Sequence, residues 1–341
     1  MDNRALRLEM VHLQLTRQCN LNCWFCGQRK KKKSPGEDER KMKLADWMRV
    51  LDQLDAMARK SQIRPCAMLW GGEAVLNRDF PVLVKSLKER GYRIGMITNG
   101  TLLEPYRELV DASFETLYFS IDGPEQIHDR IRGAGAFQKA AGAIRTLTRA
   151  KRILTAVLTE ETAACLDHML DTFLALRPDG ILLQERIVLT GEEMAAYEEW
   201  MREDFGKNAP EIHAWGAGED WQAQRQEIDR RVREVLERRT FPCPVSYLPH
   251  IPANAGIPAL YKDGSLPPCL SPFRHLHITW DGQVMYCTDF TDFSAGNVKE
   301  EPLWDIWENE ASRRFRKAVQ EGRCPSCSHC SWRYKTNFLE L

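Results

Sequence analysis

Short apolar runs alternate with longer amphipathic periods over the first 190 residues of the chain. RLEMVHLQL (7–15) reads as a strand. KLADWMRVLDQLDAMARK (43–60) places its apolar residues three and four apart, the spacing of a helix with one buried face. CAMLW (66–70) is the next strand and FPVLVKSLKER (80–90) its helix. YRIGMIT (92–98) precedes PYRELVDA (105–112), and TLYFSI (116–121) precedes FQKAAGAIRTLTRA (137–150). ILTAVLT (153–159) with LDHMLDTFLALR (166–177) forms a fifth unit, and GILLQERIVL (180–189) a sixth strand. Such alternation implies parallel strands joined by helical crossovers, an α/β fold. Six units make an open, partial version of the eight-unit barrel.

The pattern changes after residue 190. Residues 192–239 are charged and helical, ending in WQAQRQEIDRRVREVLERR. The proline-rich FPCPVSYLPHIPANAGIPAL (241–260) reads as an irregular bridge. HLHITWDGQVMYC (275–287) reads as a hairpin turning at Asp281-Gly282. The expected division is a barrel over 1–200, a bridge over 201–260 and a small α+β domain over 261–341.

Charge narrows the function classes. Lys+Arg and Asp+Glu both number 48, which argues against nucleic acid or an anionic membrane as the main partner. The run Arg29-Lys30-Lys31-Lys32-Lys33 is read as a solvated loop. The N-terminus lacks the features of a signal peptide, and no apolar stretch approaches the roughly eighteen residues of a membrane span, so the expected location is cytoplasmic. In a reducing compartment the 11 cysteines point to metal or redox chemistry rather than structural disulfides.

Eight of those cysteines cluster: Cys19, Cys23 and Cys26 in CNLNCWFC, then Cys269, Cys287, Cys324, Cys327 and Cys330. The first trio follows the first strand, and other unusual residues also fall at strand ends. Gly71-Gly72-Glu73 follows the second, Thr98-Asn99-Gly100 the third, and Ser120-Ile121-Asp122-Gly123 the fourth. The C-terminal rim of parallel strands is the reactive face of such barrels, so these groups describe one pocket. A zinc knuckle, a redox dithiol and an iron–sulfur site compete for the trio. Zinc wants a fourth ligand nearby, and His12 lies inside the strand. A dithiol leaves Cys19 surplus. Three thiolates can hold three irons of a cubane and leave the fourth open.

Cys19-x3-Cys23-x2-Cys26, with Phe25 before the last cysteine, resembles the signature of radical S-adenosylmethionine (radical SAM) enzymes, over roughly residues 8–190. The resemblance implies a [4Fe–4S] cluster on these cysteines, SAM at its open iron, and reductive cleavage of SAM to a 5′-deoxyadenosyl radical that abstracts hydrogen. It also implies that Gly71, Gly72 and Glu73 meet the methionyl amine, although Ala74 stands where the family usually has proline. Ser120 and Asp122 would meet the ribose, Arg132 the SAM carboxylate, and Phe25 and Asn99 complete the cofactor set. Cys269, Cys287 and the Cys324-x2-Cys327-x2-Cys330 segment resemble the C-terminal SPASM or shorter twitch extension. The fuller SPASM pattern carries more cysteines, so the implied count is one auxiliary [4Fe–4S] cluster. Cys269 and Cys287 would be two ligands, with two more from Cys324, Cys327 and Cys330.

The implied activity is hydrogen abstraction from a small molecule or short peptide, followed by oxidation or epimerisation. A maturase that cross-links a ribosomal peptide, and a non-catalytic iron–sulfur or zinc protein, are the alternatives. Only eighteen residues precede Cys19, which tilts the expectation away from a leader-peptide domain. Cys243 is a candidate hydrogen donor, and Glu185 and Asp289 are candidate acid/base groups. An electron donor such as flavodoxin or ferredoxin is the implied partner.

Overall fold

The apolar runs become strands because both of their faces are covered. The computed structural model describes residues 6–28, 37–216, 221–248 and 269–330; the basic run at 29–33 lies outside them. Strands β1 (Met10–Gln14), β2 (Cys66–Trp70), β3 (Ile94–Thr98), β4 (Thr116–Ser120), β5 (Lys151–Leu158) and β6 (Gly180–Glu185) stand side by side, parallel and in chain order. Alternate residues face opposite ways, as the pleat requires. Val11, Leu13, Ala67, Leu69, Ile94, Met96, Leu117 and Phe119 turn outward into the main core beneath the helices. Met10, Met68, Tyr118, Ile153 and Leu182 pack together on the other face. This is the partial (β/α)6 barrel that the periodicity implies.

The helices follow the same logic. Leu44–Ser61 buries Trp47, Val50, Leu51, Leu54 and Met57 along one stripe. At its start the Lys43 N–H donates to Asp46 Oδ2 at 2.9 Å, satisfying a donor that the helix leaves open. Helices Gly191–Phe205 and Trp221–Arg238 cover the charged region as expected.

Two additions lengthen the sheet beyond the six units. Val245–Leu248, inside the stretch read as a bridge, forms β7 and pairs parallel to β6. Four residues following Pro244 are too short to show alternation, and pairing with β6 supplies what local pattern lacks. β8 (His275–Ile278) pairs parallel to β1, so that His12 stands opposite His277. β9 (Gln283–Met285) returns antiparallel across Asp281-Gly282, as the hairpin reading requires, with Gly282 at φ +89. β10 (Gly296–Asn297) completes one ten-stranded sheet in the order β10-β9-β8-β1-β2-β3-β4-β5-β6-β7. The C-terminal cysteines are thereby carried onto the β1 side of the barrel.

Candidate active site

The loop after β1 is tied to the ends of β2 and β3. The Glu73 N–H donates to the Gln18 carbonyl at 2.7 Å, and the Gly72 N–H to Gln28 Oε1 at 3.0 Å. Both glycines are required. Gly71 and Gly72 lie in the left-handed region at φ +84 and +52, and a Cβ on Gly72 would stand 2.1 Å from the Gln18 carbonyl oxygen. From β3, Asn99 Nδ2 donates to Asn20 Oδ1 at 3.0 Å and lies 3.8 Å from Cys19 Sγ. Asn20 in turn donates to Thr101 Oγ1 at 2.8 Å. The Leu21 N–H donates to Cys19 Sγ at 3.4 Å, and the Cys26 N–H to the Cys23 carbonyl at 3.1 Å. Cysteine loop, double glycine and Asn99 therefore share one rim, as their positions after the strands imply.

Glu73 and Asp122 each also carry bonds within the protein. Glu73 is buried, and its carboxylate accepts from Thr98 Oγ1 and the Asn99 N–H, both at 2.8 Å. Burial pushes its pKa up to about 7 against those bonds. Its carboxylate braces β3 through these two bonds, one to each oxygen. Asp122 is fully buried; Oδ2 accepts from Arg132 Nε at 2.6 Å and Oδ1 from the Val157 N–H at 2.9 Å. Asp122 thereby holds Arg132 and the end of β5 in one place. Arg132 ends the helix Glu125–Arg132, its guanidinium 5.9 Å from the Phe25 ring centroid and close enough to lower the Cys23 pKa. Burial is the larger effect at Cys23 and carries that thiol up to about 11. Ser120 is half-buried at the end of β4.

The same corner holds a buried imidazole. His128 Nδ1 accepts the Asp122 N–H at 3.1 Å, and burial, then Arg132, lowers its pKa to about 4. A folded-state pKa below the unfolded value makes the unfolded chain bind the proton first, so stability is full above pH 6.5 and falls as pH drops towards 4. The total loss is about 3 kcal/mol. Asparagine at 128 preserves an acceptor but does not titrate. The unfolding free energies of the wild type and His128→Asn, from urea titrations, are expected to converge by about 2 kcal/mol between pH 7 and 4.5; parallel pH profiles would contradict it.

The second group of thiols meets below the β8–β9 hairpin. Cys269, Cys287, Cys327 and Cys330 line one cavity, with Asp289 and Phe290 beside them. Cys324 is buried next to them, its Sγ 3.4 Å from Ser326 Oγ, and is not part of that lining. Burial, then the neighbouring Cys324, Cys330 and Cys269, pushes the Cys287 thiol well up. Thiols so placed resist ionising together until a cation joins them, which fits a metal-cluster site. Among the described residues no three His, Cys, Asp or Glu side chains converge as a single ion requires. A lone zinc needs its sulfurs about 2.3 Å from one point, whereas a cubane offers separate corners.

Histidines in different segments, whose grouping the sequence did not show, close the other side of this cavity. His12 and His277 stack at 4.1 Å, and His275 lies 5.8 Å from His12. All three are buried, and burial holds His12 and His277 neutral. Only the β1–β8 register brings them together. Above them, a polar cavity of about 230 Å³ is lined by Gln14, Arg17, Gln28, Arg40, Thr279 and Trp280. Trp215 bridges the two cysteine regions, packing on Gly27 and donating from Nε1 to the Asp289 carbonyl at 3.0 Å.

Two candidate groups fall outside this site. Glu185 lies on the helix side of the sheet, where it accepts from Arg225 Nε at 2.9 Å and the Tyr247 hydroxyl at 2.8 Å. Both of its oxygens are thus bonded on the side of the sheet away from the cysteine loop. Cys243 stands just before β7, by Asp179, which just precedes β6. The strands are parallel, so Cys243 sits on the rim opposite the cysteine loop, packed against the outer core. Asp289 remains, lining the second thiol cavity.

Fold and site together define an open α/β barrel with one thiol loop at its mouth and a second thiol cavity on its flank. The radical SAM superfamily model matches residues 13–173, and an iron–sulfur cluster-binding domain, SPASM, matches 269–331. The chain belongs to the radical SAM superfamily and carries a C-terminal SPASM domain. Its cofactors are accordingly SAM, a [4Fe–4S] cluster and auxiliary iron–sulfur binding. It is 26% identical to the AdoMet-dependent heme synthase of Methanosarcina barkeri over 94% of this chain and 88% of that one. It is 23% identical to the tungsten-containing aldehyde ferredoxin oxidoreductase cofactor-modifying protein of Pyrococcus furiosus, over 98% and 90%. Streptococcus suis SuiB bound to S-adenosylmethionine shares the fold at a TM-score of 0.66 and 16% identity, covering 99% of this chain and 78% of SuiB. No helix among the described residues is long and apolar enough to cross a membrane.

Proposed function

We propose that the chain abstracts hydrogen from a small molecule and releases it as an oxidised product. Cys19, Cys23 and Cys26 hold the first cluster. Gly71, Gly72 and Glu73 meet the ligand amine, the glycines through backbone oxygens and Glu73 from the carboxylate that also braces β3. Ser120 meets the ribose, Phe25 and Asn99 border the nucleotide, and Arg132, fixed by Asp122, offers its remaining N–H groups to the carboxylate. Cys269, Cys287, Cys327 and Cys330 hold the auxiliary cluster, with Cys324 as their neighbour. Once bound, these groups supply a 5′-deoxyadenosyl radical for hydrogen abstraction and an acceptor for the electron left on the substrate. The polar cavity is the substrate's place, lined by the carboxylates Glu211 and Asp281, and Asp289, in the lining of the neighbouring thiol cavity, is the candidate proton acceptor on the auxiliary side.

One observation carries the choice of oxidation over epimerisation. A hydrogen-returning thiol has to face the substrate, and Cys243 sits on the opposite rim. Cys66 opens β2 at that same lower end, Cys165 lies between two helices outside the barrel, and Cys324 is buried against Cys327 and Ser326. End-to-end relatives named heme synthase and cofactor-modifying protein favour a small-molecule substrate over a ribosomal peptide. A flavodoxin or ferredoxin would deliver the initiating electron. The test is anaerobic reconstitution with iron and sulfide, reduction with dithionite, and quantification of products from SAM. 5′-Deoxyadenosine and methionine in equal amounts are expected; a loaded, reduced protein that yields neither refutes the enzymatic reading.

A further inference from the structure

Arg186 is the first residue past β6, at the same barrel mouth as the cysteine loop. Its neighbour Glu185 is consumed by Arg225 and Tyr247, so that carboxylate does not serve it. The Arg186 guanidinium lies 5.0 Å from the ring centroid of Trp24, which stands between Cys23 and Cys26. It lies 4.7 Å from that of Trp221, the first residue of the helix Trp221–Arg238. Among the described residues it has no hydrogen-bond acceptor and no ion-pair partner. Burial alone lowers its pKa, with no acid opposing the shift. The other buried cations of the barrel are treated differently. Arg132 has Asp122 at 2.6 Å, and Arg225 has Glu185 at 2.8 Å.

Ring contacts orient a guanidinium through its π face and consume none of its five N–H donors. A half-buried arginine fixed in that way, beside a cofactor loop and without an acid, is equipped for an oxyanion arriving from outside. Arg and a carboxylate or phosphate meet edge to edge through paired N–H···O bonds, so a fixed fork selects such groups by geometry as well as charge. Trp24 adds a second consequence, because the cysteine loop itself supplies one wall of the arginine's seat. Correct folding of that loop and readiness to receive an anion are thereby linked.

We propose that Arg186 docks an oxyanion group of the substrate, a carboxylate or a phosphate, at the β6 rim. The inference rests on the proposed function for the substrate's place at this mouth, but anion binding is testable without turnover. The full-length reconstituted protein is treated anaerobically with phenylglyoxal, which modifies accessible arginines, and modification at Arg186 is read by peptide mass spectrometry. Inorganic phosphate and acetate are the probes, each with and without SAM. Arg78, with a side chain 89% exposed, serves as the unprotected reference. One of the two anions is expected to slow modification of Arg186 saturably, on the order of fivefold at about 10 mM, which corresponds to a millimolar site. Which anion does so assigns the carboxylate or the phosphate class. Trp24→Leu should weaken that protection without altering the rate at Arg78. Equal rates with and without both anions would overturn the proposal. Protection by SAM alone, to which neither anion adds, would also overturn it by assigning Arg186 to the nucleotide. Neither result bears on whether SAM is cleaved, so failure here is distinguishable from failure of the enzymatic reading.

Discussion

Cys23→Ala is expected to lower the rate of 5′-deoxyadenosine formation by at least about a thousandfold while the protein remains folded. Cys23 is the buried member of the loop trio, 7% exposed, and its thiol is held up to about 11 chiefly by burial. A thiol in that state ionises when a metal takes the proton's place, with Arg132 close by to favour the anion. Removing it takes one iron's ligand out of the buried wall of the site. Cys19 and Cys26 then stand at the two ends of an incomplete set. The loop's backbone contacts to Gln18, Gln28 and Asn99 do not pass through the Cys23 side chain, so the fold should persist. Chromatographic quantification of the nucleoside, beside circular dichroism of the same preparation, checks both halves. Retention of more than a tenth of the activity would mean that Cys23 is not a ligand.

Gly72→Ala should be the most damaging single methyl at the rim, costing about 2–4 kcal/mol and most of the SAM affinity. Two effects add. The backbone there is left-handed, and the new Cβ would meet the Gln18 carbonyl oxygen 2.1 Å away. That oxygen cannot retreat freely, because it accepts the Glu73 N–H at 2.7 Å. The strain therefore passes into the residue just before Cys19. Gly91→Ala is the control: its φ is +76 but nothing lies within 4 Å of the added carbon, so only the conformational part, about 1 kcal/mol, is expected there. Urea denaturation of both variants gives the comparison, and calorimetric titration with SAM gives the affinity. Equal losses at the two glycines would remove the joint between Gly72 and the cysteine loop from the account.

What the sequence disclosed follows from how local each feature is. Strands such as CAMLW are buried on both faces, so composition and length reveal them without neighbours. The double glycine was legible for a related reason, since its backbone demand is met by residue type alone. Features that depend on parity or distant register were hidden. Glu185 stands at the right end of its strand, but the pleat turns it to the helix side, and reading that orientation needs the partner strand. Cys243 lies in a proline-flanked stretch whose strand, β7, is too short to reveal which rim it starts from. Glu73 and Asp122 sit where the resemblance places them, and their further bonds to Thr98, Asn99, Arg132 and Val157 depend on neighbouring strands and so were hidden. His12 and His277 lie at opposite ends of the chain and share a stack only because β8 adds to β1. Arg186 gave no signal at all, because the lack of an acid beside it among the described residues is visible only in three dimensions.

The same reasoning explains why the auxiliary thiols were readable as a group but not as a ligand set. Their spacing announces a metal site, whereas only packing shows that four of them line one cavity and that the Cys324 thiol lies against Cys327 and Ser326. Trp215 then links that region to Gly27 next to the loop cluster, a connection made by tertiary contact alone.

Low-temperature electron paramagnetic resonance of the reconstituted, dithionite-reduced protein tests the central claim most directly. Replacing Cys269, Cys287, Cys327 and Cys330 by alanine in the same preparation isolates the loop cluster, and spectra are taken before and after SAM is added. The g-values of the reduced cluster should shift on addition, because the nucleotide's amine and carboxylate reach the iron that Cys19, Cys23 and Cys26 leave open. A fully reduced cluster whose spectrum is identical with and without SAM would contradict the account.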